Sequence, residues 1–174
     1  MGRGRGILAA GVAAAIVAGA VLTARATSVR RFAVEDLARR APIVVVGTVA
    51  SSSARLGAVP GGGTRIFTDH DLRDLSFRKG SAATRNLIVS VVGGSLRGRT
   101  LAVPLTPRLE EGRRYLLFLD PAEPLCHVVG WRQGAFPIEE GTDGTLRVLP
   151  ADGGEPRALG EFLTGLDLPG ETPR

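Results

Sequence analysis

The strongest constraint on the fold of this chain is a succession of short apolar runs separated by turn residues. The densest run is Ile-Val-Val-Val-Gly-Thr-Val-Ala at residues 43–50, and a second is Tyr-Leu-Leu-Phe-Leu at residues 115–119. Runs of β-branched and aromatic residues of this length are typical of buried strands. Glycines and prolines interrupt the sequence between the runs. The pattern predicts a mostly-β domain.

Weaker strand and loop signals occupy the rest of the chain. Residues 57–63 are predicted to be a loop because they contain Pro60 and three consecutive glycines. The remaining strand-like segments are short and bounded by turn residues. They lie at residues 64–77, 86–92, 100–105, 126–131 and 145–149. This number of short strands predicts a barrel or a sandwich.

Two short helices are predicted, one near each end of the domain. Val34, Leu37, Ala38 and Ala41 share one face of a helix that ends before Pro42. A second helical spacing is formed by four apolar residues near the end of the chain, Leu159, Phe162, Leu163 and Leu166. The length of 174 residues suits one domain with a sizeable core. We place this domain at residues 27–168, followed by a flexible tail at 169–174.

The first 26 residues contain the three parts of an export signal in the right order. Arg3 and Arg5 form a basic start, residues 7–24 carry no charge, and Ala24-Arg25-Ala26 fits an A-x-A cleavage site. Residues 1–26 are therefore predicted to be a signal peptide, and the domain is expected to be periplasmic or extracellular. The alternative is an uncleaved membrane anchor at residues 7–24, although alanine and glycine contribute little to insertion.

Charge and cysteine content narrow the choice of partner and compartment. The formal charge of +5 falls to +2 without the first 26 residues, because three arginines and no acid leave with them. A domain of charge +2 is not expected to bind nucleic acid or a membrane surface. Lys79 is the only lysine, which is typical of a GC-rich bacterial genome. Cys126 is the only cysteine, so an intrachain disulfide is excluded, as in many exported bacterial domains.

Three motifs follow one another along the chain and carry a resemblance to a known fold. They are Ala-Pro-Ile-Val-Val-Val-Gly-Thr-Val at 41–49, Phe-Arg-Lys-Gly at 77–80, and Leu-Glu-Glu-Gly-Arg-Arg-Tyr-Leu-Leu-Phe-Leu at 109–119. Their succession resembles netrin-module and tissue-inhibitor-of-metalloproteinase domains, and secreted bacterial proteins of unknown function with the same strand pattern. The resemblance implies an all-β (β-rich α+β) fold. Its centre would be a small OB-like five-stranded barrel with a short N-terminal helix, extra C-terminal strands and a short C-terminal helix.

The inhibitory chemistry of those inhibitors does not carry over to this chain. They present a mature N-terminal cysteine to the zinc of a protease, whereas the expected mature chain begins Thr27-Ser28 and has its first cysteine at Cys126. The disulfides of the family are absent as well. The resemblance therefore implies a fold and a tendency to bind other proteins.

Asp69-His70-Asp71 is the most concentrated group of possible metal ligands. Successive side chains of a strand point to opposite faces, so His70 is expected to face away from both aspartates. A polar strand segment or turn is the default interpretation, and a metal site is the alternative. Cys126 and His127 form a second candidate pair, which the same alternation separates. Cys126 is interpreted as a small buried hydrophobe, unless His70 approaches it across the barrel.

A patch of five arginines at one end of the barrel is the last candidate, formed by Arg97, Arg99, Arg108, Arg113 and Arg114. Basic grooves on OB-like barrels can bind polyanions. For an exported domain, an anionic envelope polymer or an acidic protein is the expected ligand, and solvated strand ends are the alternative. Aromatic residues are few, and Tyr115, Phe118 and Trp131 are expected to fill or flank the core.

These patterns predict no catalytic residues, no metal and no cofactor. The leading hypothesis is an exported, non-enzymatic module that binds another extracytoplasmic protein and contacts the membrane only through an uncleaved N-terminal segment. One alternative is a small hydrolase or metal-dependent enzyme that uses His70, Cys126 or His127, although Gly93-Gly94-Ser95-Leu96-Arg97 departs from a G-x-S-x-G motif. The other alternative is a binder of anionic polymer through the arginines.

Overall fold

The computed structural model describes residues 31–82, 86–122, 125–150, 153–166 and 168; the predicted signal peptide and tail lie outside them. Its helical elements are α1 (Val34–Arg40), a 3₁₀ turn (Trp131–Gly134) and α2 (Leu159–Thr164). Its strands are β1 (Ile43–Ala58), β2 (Thr64–Lys79), β3 (Leu87–Val92), β4 (Gly94–Leu96), β5 (Arg99–Leu101), β6 (Arg114–Ala122), β7 (Leu125–Val128), β8 (Ala135–Glu140), β9 (Leu146–Val148) and β10 (Arg157–Ala158).

Most of the strands belong to one large sheet. Its order is β1-β2-β3-β7-β6-β8-β9-β10, and β1 also pairs with β6. The pairing of β3 with β7, through Val89 and Cys126, is parallel. β4 and β5 form a separate antiparallel hairpin that contacts β1 and β2. The prediction of a mostly-β fold with two short helices is confirmed.

Residues 43–47 of β1 and 115–119 of β6 belong to the paired parts of the two strands and are buried on both faces. Val44 and Val46 of β1 point into a first apolar cluster, which α1 and α2 cover. Val45 and Val49 point into a second cluster on the other face of the sheet. A strand with two buried faces needs no alternation of apolar and polar residues. This explains why the sequence of these two segments is a nearly continuous apolar run.

α1 forms where the helical spacing predicts it. Leu37 and Ala38 are buried in the first cluster, while acidic residues occupy the first turn and arginines the last, as the helix dipole favours. Lys79 Nζ donates a hydrogen bond of 2.7 Å to the carbonyl of Ala38. This contact joins the end of β2 to the C-terminal turn of the helix.

The segment 102–113 covers the second cluster next to the beginning of β6. Leu109 is buried among the side chains of that cluster. The Tyr115 hydroxyl accepts a hydrogen bond of 3.0 Å from the Glu110 N–H and donates one of 3.3 Å to the Arg108 carbonyl. These bonds fix an irregular segment against the sheet without a helix or strand of its own.

Two predicted boundaries around the glycine-rich loop and β5 are wrong. β1 continues to Ala58, so the loop that joins it to β2 is shorter than the predicted residues 57–63. The strand predicted at 100–105 ends at Leu101. Beyond it, Pro104 cannot donate to a ladder and Leu105 has a φ of 69°. Both features are incompatible with a continuing strand.

The strand predicted at 126–131 is also shorter, since β7 ends at Val128. Gly130 and Trp131 have φ values of 72° and 59°, and this left-handed backbone turns the chain into the 3₁₀ turn. β8 follows directly and pairs with β6. It was not among the predicted strands.

Candidate functional site

His70 lies on β2 directly opposite Ser52 on β1, and only 5% of the residue is exposed. Ser52 Oγ and His70 Nδ1 share a hydrogen bond of 2.8 Å. The Ser52 N–H donates a bond of 2.7 Å to Glu111 Oε1. We call Ser52, His70 and Glu111 the His70 cluster. It joins β1, β2 and the segment 102–113.

The aspartates beside His70 take part in other contacts. Arg55 Nε donates to Asp69 Oδ2 at 2.5 Å, and Ser90 Oγ donates to Asp69 Oδ1 at 2.7 Å. Asp71 Oδ2 lies 3.4 Å from Arg73 Nη2. Within the described residues, no group of three or more His, Cys, Asp or Glu side chains could hold a metal ion. Asp69 instead ties three neighbouring strands together.

The His70 cluster does not have the geometry of a catalytic triad. In a Ser-His-Asp triad, Nε2 faces the serine and an acid holds Nδ1. Here Nδ1 faces Ser52, and Glu111 accepts from the backbone of Ser52 rather than from the imidazole. The arrangement is therefore that of a buried structural hydrogen bond.

The buried imidazole makes stability depend on pH. Burial lowers the pKa of His70 from its ordinary value of 6.5, against the opposing charges of Asp69 and Glu111. The unfolded chain therefore binds more protons at this site than the folded protein, and its contribution to stability is fully present above pH 6.5. That contribution decreases as the pH falls from 6.5 towards the lowered pKa of the folded state.

We expect the non-titrating substitution His70→Asn to flatten the dependence of stability on pH just below 6.5. The measurement is the free energy of unfolding from urea titrations at several pH values. The wild-type protein should lose stability more steeply than the variant as the solution is acidified. Parallel pH profiles for the two proteins would contradict this assignment.

Cys126 and His127 lie on opposite faces of β7. Cys126 is buried in the second cluster, whereas His127 is exposed and its Nδ1 lies 3.2 Å from the Ser90 carbonyl oxygen. Val89 pairs with His70 on one side and with Cys126 on the other. The backbones of His70 and Cys126 are thus separated by two strand spacings, roughly 10 Å. The structure does not bring the thiol and the imidazoles into a catalytic pair.

We expect Cys126 to be inert in the folded protein. Burial raises the pKa of its thiol, and the charge of Asp120 acts in the same direction. Because the thiolate is the reactive form, native Cys126 should react with a thiol reagent at neutral pH about 100-fold more slowly than the same residue in urea. Stopped-flow absorbance with an aromatic disulfide measures both rates. Equal rates would show an open or activated thiol.

The five candidate arginines are distributed over separate elements. Arg97 and Arg99 lie in the β4–β5 hairpin, Arg108 and Arg113 lie in the segment 102–113, and Arg114 is the first residue of β6. Arg113 bonds to Glu110 at 3.0 Å and to Glu139 at 3.1 Å. The hydrogen bond with Glu110 is the main cause of its raised pKa. Its charge is therefore compensated by two carboxylates, which weakens the case for a polyanion site.

Residues 130–134, which we call the Trp131 turn, connect β7 to β8 and are fixed to the first part of the described domain. A Cβ atom on Gly130 would lie 2.5 Å from Leu37 Cδ2, so the turn packs closely on α1. The Phe32 N–H donates a hydrogen bond of 2.9 Å to Gln133 Oε1. The backbone that carries Trp131 is therefore held from two sides.

Trp131 is strained and yet exposed. Its φ of 59° is left-handed, which costs a non-glycine residue about 1–2 kcal/mol. Leu105 has a φ of 69°, and its carbonyl accepts a hydrogen bond of 2.8 Å from the Arg132 N–H. Trp131 nevertheless remains 52% exposed. Strain of this kind is concentrated at functional sites.

The sequence pattern placed Trp131 with Tyr115 and Phe118 in or beside the core. Tyr115 and Phe118 are buried, but Trp131 is not, so the prediction for Trp131 is wrong. Gly130 and Gly134 on either side of it were the available signal for a turn. Ser52 and Glu111 were missed because a serine-rich strand and an acidic turn carry no motif.

No protein-family model, curated protein or solved structure matches this chain. Among the described residues, no helix has both the length and the apolar character required to cross a membrane.

Proposed function

We propose that this chain is an exported, non-enzymatic module that binds another extracytoplasmic protein, with Trp131 as the anchor of its binding surface. Export is supported by the basic start, the uncharged residues 7–24 and the Ala24-Arg25-Ala26 motif. In this proposal the domain works in the periplasm or outside the cell, where its buried thiol requires no disulfide partner.

An OB-like barrel of five strands is part of the proposal. β1 pairs with β2, β2 with β3, β3 with β7, β7 with β6, and β6 again with β1. The succession of pairings thus returns to its first strand, as it does in a closed barrel. The second cluster would fill the barrel, with Leu109 at one end. This arrangement supports the resemblance to netrin-module domains.

The observation that carries the function is the exposed, strained Trp131. Binding surfaces are dominated by a few large side chains, and tryptophan is the most enriched among them. A rigid tryptophan loses little conformational entropy on binding because its backbone is already fixed. A partner that covers the ring would offset the cost of the left-handed backbone. Without a partner, the exposed part of the ring makes no contact that would offset this cost.

Site-specific photocrosslinking tests this function. A photoreactive phenylalanine analogue replaces Trp131 in one version of the full chain and Ile88, an exposed residue of β3, in the control. Illumination of the cells that make the protein should yield a single crosslinked partner from position 131 and none from position 88. Equal crosslinking from both positions, or none from either, would contradict the proposal.

The purified partner then permits a quantitative test. We expect Trp131→Ala to weaken its binding by at least about tenfold, and Trp131→Phe to weaken it less. Ile88→Ala should change binding by less than about twofold. Melting curves establish that each variant is folded. Unchanged affinity of a folded Trp131→Ala variant would remove Trp131 from the binding surface.

A further inference from the structure

β1 extends well beyond the strand that pairs with it on one side. Its pairing with β6 ends at Thr48, whereas its pairing with β2 continues to Ala58 and Thr64. Residues 53–58 therefore have a strand neighbour on one side only, within the part of the chain that the structure describes. The opposite edge of this segment faces outward.

Two hydrogen bonds establish which backbone groups face this edge. The Ser52 N–H bonds to Glu111 instead of β2, so Ser52 and His70 form a pair without ladder bonds. At the other end of the same register, the Val59 N–H donates to the Gly63 carbonyl at 3.2 Å. The register between these positions has no shift.

In an antiparallel ladder the backbone groups of successive residues point alternately to the two sides of the strand. The direction of the N–H and C=O groups at residues 53–58 follows from this alternation. Ser53, Arg55 and Gly57 exchange bonds with β2, while Ala54, Leu56 and Ala58 direct their N–H and C=O groups to the open edge. The Gly93 N–H donates to the Ile66 carbonyl at 2.8 Å. Ile66 is the partner of Leu56, so its carbonyl also points away from the ladder, as this alternation requires.

The edge lacks the usual protection against strand pairing. Natural edges are commonly protected by lysine or proline, and residues 53–58 contain neither. Arg55, the one charge, is turned onto the sheet, where it bonds to Asp69 and lies 5.3 Å from the ring of Phe67. Leu56 is 60% exposed. The edge thus offers unpaired backbone groups beside an apolar side chain.

We propose that this edge pairs with the same edge of a second copy of the chain, antiparallel across a two-fold axis at Leu56. The register places Leu56 beside Leu56 of the second copy, Ala54 beside Ala58, and Arg55 beside Gly57. No like charges lie directly opposite each other, and each Arg55 keeps its own Asp69 as counter-ion. Apolar side chains meet apolar side chains, and about six hydrogen bonds form.

The open edge of β1 is a different surface from the Trp131 turn, so the dimer is independent of the proposed function. The edge is short, so the buried area is at the low end for specific interfaces. A reversible dimer with a dissociation constant on the order of 100 μM is therefore expected.

Sedimentation equilibrium of the full chain over a concentration series tests the dimer. Leu56→Pro removes the N–H at the two-fold axis without breaking the β2 ladder, since that N–H points outward. It should weaken association by at least about tenfold. Leu56→Ala keeps the N–H and should weaken it less. A monomer up to 1 mM (on the order of ten times the expected constant), a dimer unaffected by Leu56→Pro, or equal effects of the two variants would overturn the proposal.

Oxidative crosslinking gives a second measurement, which does not require proline to be tolerated. Residues opposite each other in such a pair have Cα atoms about 5.5 Å apart, within the range of a disulfide. Leu56→Cys should therefore form covalent dimers under mild oxidation. Ile88→Cys, equally an exposed apolar position, should not. Absence of a Leu56→Cys crosslink, or equal yields from the two variants, would overturn the proposed pairing.

Discussion

Phe136→Ala should lower the free energy of unfolding by about 3–5 kcal/mol. Phe136 on β8 is 4% exposed and connects the sheet to α2. The centroid of its ring lies 5.7 Å from that of Phe118 on β6 and 5.4 Å from that of Phe162 on α2. Truncation removes both aromatic contacts and leaves a cavity that the short helix cannot fill. A loss of this size is a large fraction of the stability of a typical domain, about 5–15 kcal/mol.

Urea titration monitored by circular dichroism measures this loss. Phe136→Leu is the matched variant, because it keeps an apolar side chain of similar bulk and should cost about 1.5 kcal/mol or less. A cost for Phe136→Ala as small as that of Phe136→Leu would mean that α2 does not depend on this contact.

The strands that the sequence predicts best are those with two buried faces. Residues 43–50 and 115–119 contribute side chains to both apolar clusters. Their apolar composition therefore indicates a buried strand directly. The far half of β1 has no such signal. Its Ser-Ser-Ser-Ala-Arg-Leu-Gly-Ala sequence is stabilised by one neighbouring strand and is largely exposed on its faces. Propensity alone therefore gives no reason to extend β1 beyond residue 50.

β8 was missed for a different physical reason. Pro137 within a run argues against a central strand, because proline cannot donate to a ladder. Here Pro137 pairs with Tyr115 on β6, and on the other side its carbonyl accepts from the Leu149 N–H at 2.9 Å. β8 therefore forms a hydrogen bond on that side through the carbonyl oxygen of Pro137, the acceptor that proline retains. This arrangement depends on neighbours that are distant in the sequence.

The contacts of the His70 cluster also depend on residues that are distant in the sequence. Alternation along β2 assigns His70 and its flanking aspartates to different faces, which the sequence can predict. The partner of His70 is Ser52, 18 positions away, and Glu111 lies 59 positions from Ser52. Only the strand register and the position of the segment 102–113 bring these residues together. No rule of residue spacing in the sequence predicts this contact.

Gly134→Ala should be as disruptive as the loss of a core side chain, although it adds only a methyl group. A Cβ atom at Gly134 would overlap the carbonyl oxygen of Val129, a backbone atom of the residue directly before the Trp131 turn, and the Cβ position is itself fixed by the backbone of Gly134. Neither can rotate away, so the turn must open. We expect a loss of about 3 kcal/mol in the free energy of unfolding.

Gly160→Ala is the matched control, since it makes the same chemical change with the opposite expected sign. Gly160 lies in α2, and a Cβ atom there would meet nothing within 4 Å. Alanine in a helix is about 0.5–1 kcal/mol more favourable than glycine, so this variant should be slightly stabilised. Urea titration of both variants tests the contrast, and equal effects would contradict it.

Because the displaced turn carries Trp131, Gly134→Ala should also weaken binding of the crosslinked partner under conditions where the variant is still folded, whereas Gly160→Ala should leave it unchanged.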